Sequence, residues 1–188
     1  LYDELSKEIL PTLLKNKKPS DAIRLWVPAC SSGEEAYSIA ICIFEYLSEH
    51  SIVIDIQLFA SDLSEGSIGK ARSATYSKIA VEKISPERLK RFFIYVDGFY
   101  QIIKPIRDIC VFATHNLLRD PPFSRLDLIS CQNVLIYLEA ESQKRVLQSF
   151  HYALRPGGFL LLGKSEAIGK ASELFSLVGK KSKLFTKK

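Results

Sequence analysis

The chain has 188 residues, 47% hydrophobic and 25% charged, the balance of one globular domain able to bury about 70% of the surface its unfolded form would expose. Its net charge of +5 comes largely from Lys15-Asn16-Lys17-Lys18 and the tail Lys180 to Lys188, which read as solvated, and no aromatic residues interleave with these lysines as a nucleic-acid stacking surface would need. No apolar run approaches the roughly 20 residues of a membrane span and no signal-peptide pattern opens the chain, so direct membrane insertion is not expected.

In chain order, Leu1 to Leu14 has helical spacing at Leu5, Ile9, Leu13 and Leu14, interrupted by Pro11, and residues 1–22 read as a helical lead-in to a domain covering 23–188. With no methionine and a start at Leu1, the sequence reads as a piece of a longer protein. A buried strand is expected from Ile23 to Ala29, then a small-residue loop, then a helix carrying Ala36, Ile39, Ala40, Ile43, Phe44 and Leu47 and ending near His50. Ile52 to Ser61 is a second strand, Ser64 to Tyr76 a helix, Ile109 to Thr114 a third strand and Leu126 to Cys131 a fourth. A helix from Glu139 to Leu154 is terminated by Arg155-Pro156-Gly157-Gly158, Phe159 to Leu162 is a fifth strand, and Phe175 to Thr186 is a closing antiparallel hairpin. Between Ser77 and Arg107 the alternation breaks: Asp97-Gly98 between aromatic and β-branched runs signals a hairpin, hence a small antiparallel insertion. The fold class is therefore α/β, a Rossmann-like and mostly parallel sheet with an antiparallel last strand.

The isolated Cys30, Cys42, Cys110 and Cys131 read as reduced thiols of a cytoplasmic protein, and the scattered His50, His115 and His151 support neither a metal site nor a catalytic triad. In open α/β sheets, ligands bind outside the carboxyl ends of the strands. There the sequence places Ala29 to Glu35, Asp62, His115-Asn116-Leu117 and Gln132-Asn133. Small Ala29, Cys30 and Gly33 let a ligand approach the backbone. Glu34 and Glu35 stand where a phosphate would dock, so they argue against a pyrophosphate and for a cationic or hydroxyl-rich ligand. S-adenosylmethionine, with a sulfonium, an ammonium and a ribose diol, fits that chemistry better than NAD. Asp62 is placed to accept both ribose hydroxyls, with helix capping as its plainer role, and Asn116 can present an amide to an adenine edge.

ACSSGEEAYSIA, FASDLSEGSIGKAR, Asn116-Leu117, DLISCQNVLIYL, LRPGGFLLLGKSE and ELFSLVGKKSKLF resemble, in order, the CheR-type chemotaxis receptor methyltransferases. VFATHNLLRDPPFSRLDLISCQN is most similar to the versions fused to a CheB-type methylesterase domain. The resemblance implies a class I methyltransferase that uses S-adenosylmethionine, releases S-adenosylhomocysteine, and esterifies glutamates on the cytoplasmic helical region of a receptor. It implies that Glu34 and Asp62 hold the polar groups and ribose of the cofactor, that Asn116, Leu117 and Asn133 border it, and that Tyr137 lies near the transferring methyl. Gln132 stands where the family usually has arginine, and the family's N-terminal helical domain lies ahead of this start. Two alternatives remain at this stage: a non-catalytic binding module of a larger signalling protein, and a methyltransferase for another acceptor.

Overall fold

The computed structural model describes residues 2–188, so Leu1 of the expected lead-in lies outside the described residues. Helix α1 (Tyr2–Glu4), a π-helical stretch (Leu5–Ile9) and α2 (Leu10–Leu14) run on from one another. Pro11 stands just after the π-helical stretch, so the α-helical pattern is broken ahead of it while the chain stays helical through Leu14.

Five parallel strands and an antiparallel pair form the main sheet. They are β1 (Ala22–Pro28), β2 (Asp55–Asp62), β6 (Cys110–Thr114), β7 (Leu126–Cys131), β8 (Leu154–Leu162), β9 (Phe175–Gly179) and β10 (Leu184–Lys187). Their order is β6-β2-β1-β7-β8-β10-β9. The helices are α3 (Glu34–Glu49), α4 (Glu65–Ser73), α5 (Pro86–Phe92), α6 (Lys104–Ile109) and α7 (Ala140–Ala153). Alternate residues of β1 feed two cores: Leu25 and Val27 pack with α3, while Trp26 packs with Ile129, Phe150 and the rest of the opposite face. All six residues of β7 are buried, as a central parallel strand covered on both faces requires.

A second sheet, β3 (Thr75–Tyr76), β5 (Phe99–Ile102) and β4 (Phe93–Val96), is antiparallel and carries the expected hairpin, with Asp97 (φ 49°) and Gly98 (φ 83°) in its turn. It starts before Ser77. The helix expected to reach Tyr76 ends at Ser73, because Ala74 turns left-handed (φ 53°) and sends Thr75–Tyr76 into this sheet. Ile94, Tyr95, Val96 and Phe99 of the hairpin are exposed.

A further boundary differs from expectation. Arg155-Pro156-Gly157-Gly158 does not end α7; the helix stops at Ala153, and Leu154 already pairs with Leu126. The four residues instead form an excursion within β8, since the next pair in register is Leu128 with Phe159. Likewise Lys17, expected in a solvated cluster, is enclosed. Its ammonium lies 3.0 Å from Asp127 Oδ2, the two side chains being 7% and 6% exposed. The same Asp127 oxygen accepts the Arg24 N–H at 2.8 Å, and Arg155 stands 3.9 Å from the other. This pair ties the lead-in to the centre of the sheet.

Candidate functional site

The strand order reverses between β1 and β7, with β2 and β6 on one side and β8 on the other. That switch point is where the carboxyl ends leave an open crevice. The loop after β1 is shaped by backbone turns: Ala29 (φ 51°), Ser31 (φ 50°) and Gly33 (φ 93°) are all left-handed. A Cβ on Gly33 would stand 3.0 Å from Ala71 Cβ and 3.2 Å from the Phe112 ring, so only glycine lets α3 start this close to α4 and β6.

Asp62, at the tip of β2, accepts the Ser31 N–H on Oδ2 and the Ser64 N–H on Oδ1, both at 2.9 Å. It thereby fixes the β1 loop against the entry to α4, whereas the cap of α4 is Ser64, whose hydroxyl accepts the Ser67 N–H. A cavity of 220 Å³ at these ends is lined by Ala29, Asp62, His115, Asn116, Leu117, Val134 and Leu138, among others. The structure thus brings Ala29, Asp62, Asn116 and Leu117 together. Asn116 is held by its own loop, its N–H bonded to Asp120 at 2.7 Å and its Oδ1 accepting the Leu118 N–H at 3.0 Å. His115 is clamped edge-on by Trp26 and stacked on Phe123, with Nε2 2.9 Å from the Pro121 carbonyl.

The remaining expected residues do not line that cavity. Cys30 and Gly33 are buried beneath the loop, and desolvation pushes the Cys30 thiol up to about 12, so it stays neutral. The Glu34 carboxylate is exposed, accepts the Ser32 hydroxyl, and lines a different 310 Å³ cavity with Tyr37, Tyr76 and Lys83 beside the small sheet. Tyr76 reaches back from that sheet, its hydroxyl donating to the Ser32 carbonyl at 2.8 Å. Tyr137 sits on a 3₁₀ turn (Leu135–Tyr137) and is 81% exposed.

Two further carboxylates organise these loops: Glu35, which the sequence flagged together with Glu34, and Glu166, which it did not. Glu35 turns inward, one position round the helix from exposed Glu34, and accepts the Ser130 hydroxyl at 2.7 Å. Ser130 in turn accepts from Gln132 Nε2 at 3.3 Å. Burial raises the Glu35 pKa above its ordinary 4.5, a nearby Glu166 adds to the rise, and the bonds from Ser130 and Gln132 oppose it. Glu166 is 2% exposed and fully engaged. Its Oε1 accepts the N–H groups of Val134 (2.8 Å) and Leu135 (2.7 Å), and its Oε2 those of Asn133 (3.1 Å) and Gly163 (2.6 Å). One carboxylate therefore staples the loop after β7, including left-handed Asn133 (φ 59°), to the loop after β8. A capping-box spacing could have flagged neither residue; only the doublet Glu34-Glu35 carried a signal, without saying which acid points in.

Among the described residues there is no cluster of three or more metal-ligating side chains and no helix long and apolar enough to cross a membrane. The family profile described as CheR methyltransferase, SAM binding domain, matches residues 1–184.

The chain belongs to the CheR family.

Individual relatives agree. A "Chemotaxis protein methyltransferase 2" of Vibrio cholerae is 35% identical over 177 residues, covering 92% of this chain and 61% of the relative. A "Chemotaxis protein methyltransferase 1" of Pseudomonas aeruginosa is 35% identical over 182 residues, covering 94% and 66%. An uncharacterised 104.1 kDa protein of Rhodobacter capsulatus is 35% identical over 184 residues, 98% of this chain but 19% of that protein. The chain thus spans between a fifth and two thirds of the length of these relatives. In fold, it is similar to the crystal structure of the DszA carbon methyltransferase, with a TM-score of 0.52 at 18% identity over 85% of this chain and 33% of that one. As a CheR-family domain of the S-adenosylmethionine-binding class, the chain has S-adenosylmethionine as its cofactor.

A cation placed against the half-buried Glu35 would offset the desolvation that raises its pKa. The sign of the pH dependence follows. A carboxyl with a folded-state pKa above its unfolded value costs the free protein stability above that folded pKa, and the cost vanishes below the unfolded one. Glu35→Gln is therefore expected to raise the melting temperature of the ligand-free chain at neutral pH. In wild type, S-adenosylhomocysteine affinity is expected to rise with pH through the raised pKa of Glu35, and to lose that rise in Glu35→Gln. Calorimetric titration across the acidic range checks both.

Proposed function

We propose that this chain is the catalytic domain of a protein-glutamate O-methyltransferase acting on the helical cytoplasmic region of a chemotaxis-type receptor. The observation that carries the reading is the crevice at the β1–β7 switch point, where Asp62 and Asn116 line a cavity, while the half-buried carboxylate of Glu35, at the start of α3, is bonded to Ser130 of β7. Asp62 keeps a lone pair on each oxygen for the ribose diol, and Asn116 keeps its side-chain NH₂ for an adenine edge. Glu35, more than Glu34, answers the cationic end. In this reading Asn133 and Gln132 border that end, Leu117 and Ala29 flank the nucleoside, Cys30 and Gly33 shape the loop, and exposed Tyr137 approaches the transferring methyl.

Bound there, S-adenosylmethionine supplies an activated methyl group. The acceptor carboxylate is already an oxygen nucleophile at neutral pH, so the protein has to position and partly desolvate it rather than deprotonate it. That agrees with a site whose histidine, His115, is committed to a structural contact with a backbone carbonyl. A cytoplasmic location and further domains in the same parent protein belong to this reading.

The deciding experiment incubates the full-length parent with methyl-labelled cofactor and membranes carrying its own receptors, then treats them with mild alkali. Volatile labelled methanol is expected, because a γ-glutamyl methyl ester is base-labile. Label that survives alkali on protein would replace the proposal with another acceptor chemistry, and binding without transfer would leave a sensor module.

Removing the Asp62 carboxylate tests the cofactor half alone. Asp62→Ala is expected to weaken S-adenosylhomocysteine binding by about 1.5–3 kcal/mol, and Asp62→Asn by less, since one acceptor survives. Titration calorimetry with parallel melting curves separates lost binding from lost loop anchoring.

A further inference from the structure

The carboxyl rim of the sheet is divided by charge. Glu34, Glu35 and Asp62 stand on the β1 and β2 side. On the far side, β10 runs antiparallel to β8 and pairs Leu184 with Leu161, so the β9–β10 turn hangs over this same rim. That turn carries Lys180, Lys181 and Lys183, and Lys164 follows β8 within two residues. Lys164, Lys181, Ser182 and Gln132 line one cavity of 90 Å³. At about 30 Å³ per water, it has room for a carboxylate and a short stem but not for a nucleoside. Two acids of the lead-in come close: Glu4 lines the same cavity, and Glu8 Oε2 lies 3.6 Å from where a Cβ on Gly179 would sit. Four lysines against these two acids and the buried Glu166 leave this side of the rim net positive. Gln132 joins the two sides, since its amide donates to Ser130, which donates to Glu35.

We propose that this lysine-lined cavity is the acceptor subsite, and that it docks an acidic helical segment so that one glutamate carboxylate enters beside Gln132. The proposal rests on the methyltransferase reading above and names the residues that choose its substrate. The charge division has a chemical logic: a cationic donor and an anionic acceptor are drawn to opposite halves of one rim. In the transfer, a glutamate oxygen forms the new O–CH₃ bond as the S–CH₃ bond breaks. The electron pair leaves with sulfur as a neutral thioether, and no proton moves. Lys164 and Lys181 touch no cofactor group in this arrangement; they hold the acceptor.

Binding and transfer test it separately. A fluorescent helical peptide of about 20 residues bearing paired glutamates, and its glutamine counterpart, are titrated into the chain with S-adenosylhomocysteine present. Wild type is expected to bind the glutamate peptide in a salt-sensitive manner and the glutamine peptide about tenfold more weakly. The double variant Lys164→Glu/Lys181→Glu is expected to lose about tenfold for the glutamate peptide while its S-adenosylhomocysteine affinity and melting temperature stay within error. Equal binding of both peptides by wild type, or an unchanged double variant, would overturn the subsite. Lysine-dependent peptide binding without base-labile product from the parent would instead leave the subsite standing and remove the transfer reading.

Discussion

Glu166→Gln is expected to lower the unfolding free energy by about 3 kcal/mol or more and the melting temperature by about 6–12 °C. The size follows from how the four N–H groups are shared. Val134 and Leu135 point at one oxygen, Asn133 and Gly163 at the other. Whichever way the glutamine amide is flipped, its NH₂ faces one of these pairs, so two donors are orphaned in a dry site and confront a third. A Cβ on Gly163 would stand 2.7 Å from Glu166 Oε2, so the neighbouring backbone has no room to re-form around a larger arrangement. Because the same bonds set the course of Asn133 to Tyr137, cofactor affinity is expected to fall along with stability. Exposed Glu173→Gln is the control and should shift stability by less than about 0.5 kcal/mol. Denaturant unfolding with and without S-adenosylhomocysteine reads both effects.

At the other end of the sheet, Asp127→Ala is expected to cost about 3–5 kcal/mol. It strands the Lys17 ammonium in a side-chain environment only 7% exposed and leaves the Arg24 N–H without its acceptor. Replacing both charges together, Lys17→Met with Asp127→Asn, is expected to recover a large part of that loss. Much of the penalty comes from an unpaired buried charge rather than from a missing attraction. Equilibrium urea curves of Lys17→Met, Asp127→Asn and the double complete the cycle, with Asp127→Ala measured beside them.

How much of this was legible in the sequence differs by element. β7 is legible to the residue, because a strand buried on both faces leaves a mostly apolar run, Leu126 to Cys131 but for Asp127 and Ser130. β2 begins at Asp55 rather than Ile52, since apolar Ile52 to Ile54 run from the end of α3 without joining the ladder. The end of α4 gave no sign of itself: its left-handed residue is Ala74, where a glycine would have announced the turn. In the site, Asp62 and Asn116 were visible because strand ends followed by polar residues are what an α/β sheet offers a ligand. Glu166 was not visible. In GKSEAI it looks like a surface acid, and only the meeting of two loops far apart in sequence makes it a buried hub. Glu34 and Glu35 differ by about 100° around the helix axis, and the sequence does not fix where that axis points.

The centre of the sheet also sets the order in which the chain can assemble. β1 meets β2 across about 30 residues, but its other edge waits for β7, with Arg24 and Asp127 separated by 103 positions. Closing the longer loop costs only about 1 kcal/mol more than closing the shorter. Time on the ribosome matters more. At about 5–20 residues per second, roughly 3–14 s pass between completion of β2 and completion of β7. Through that interval the nascent β1 carries an open hydrogen-bonding edge and an uncovered Trp26. This is the window in which a chaperone has most to do and a crowded polysome most to lose.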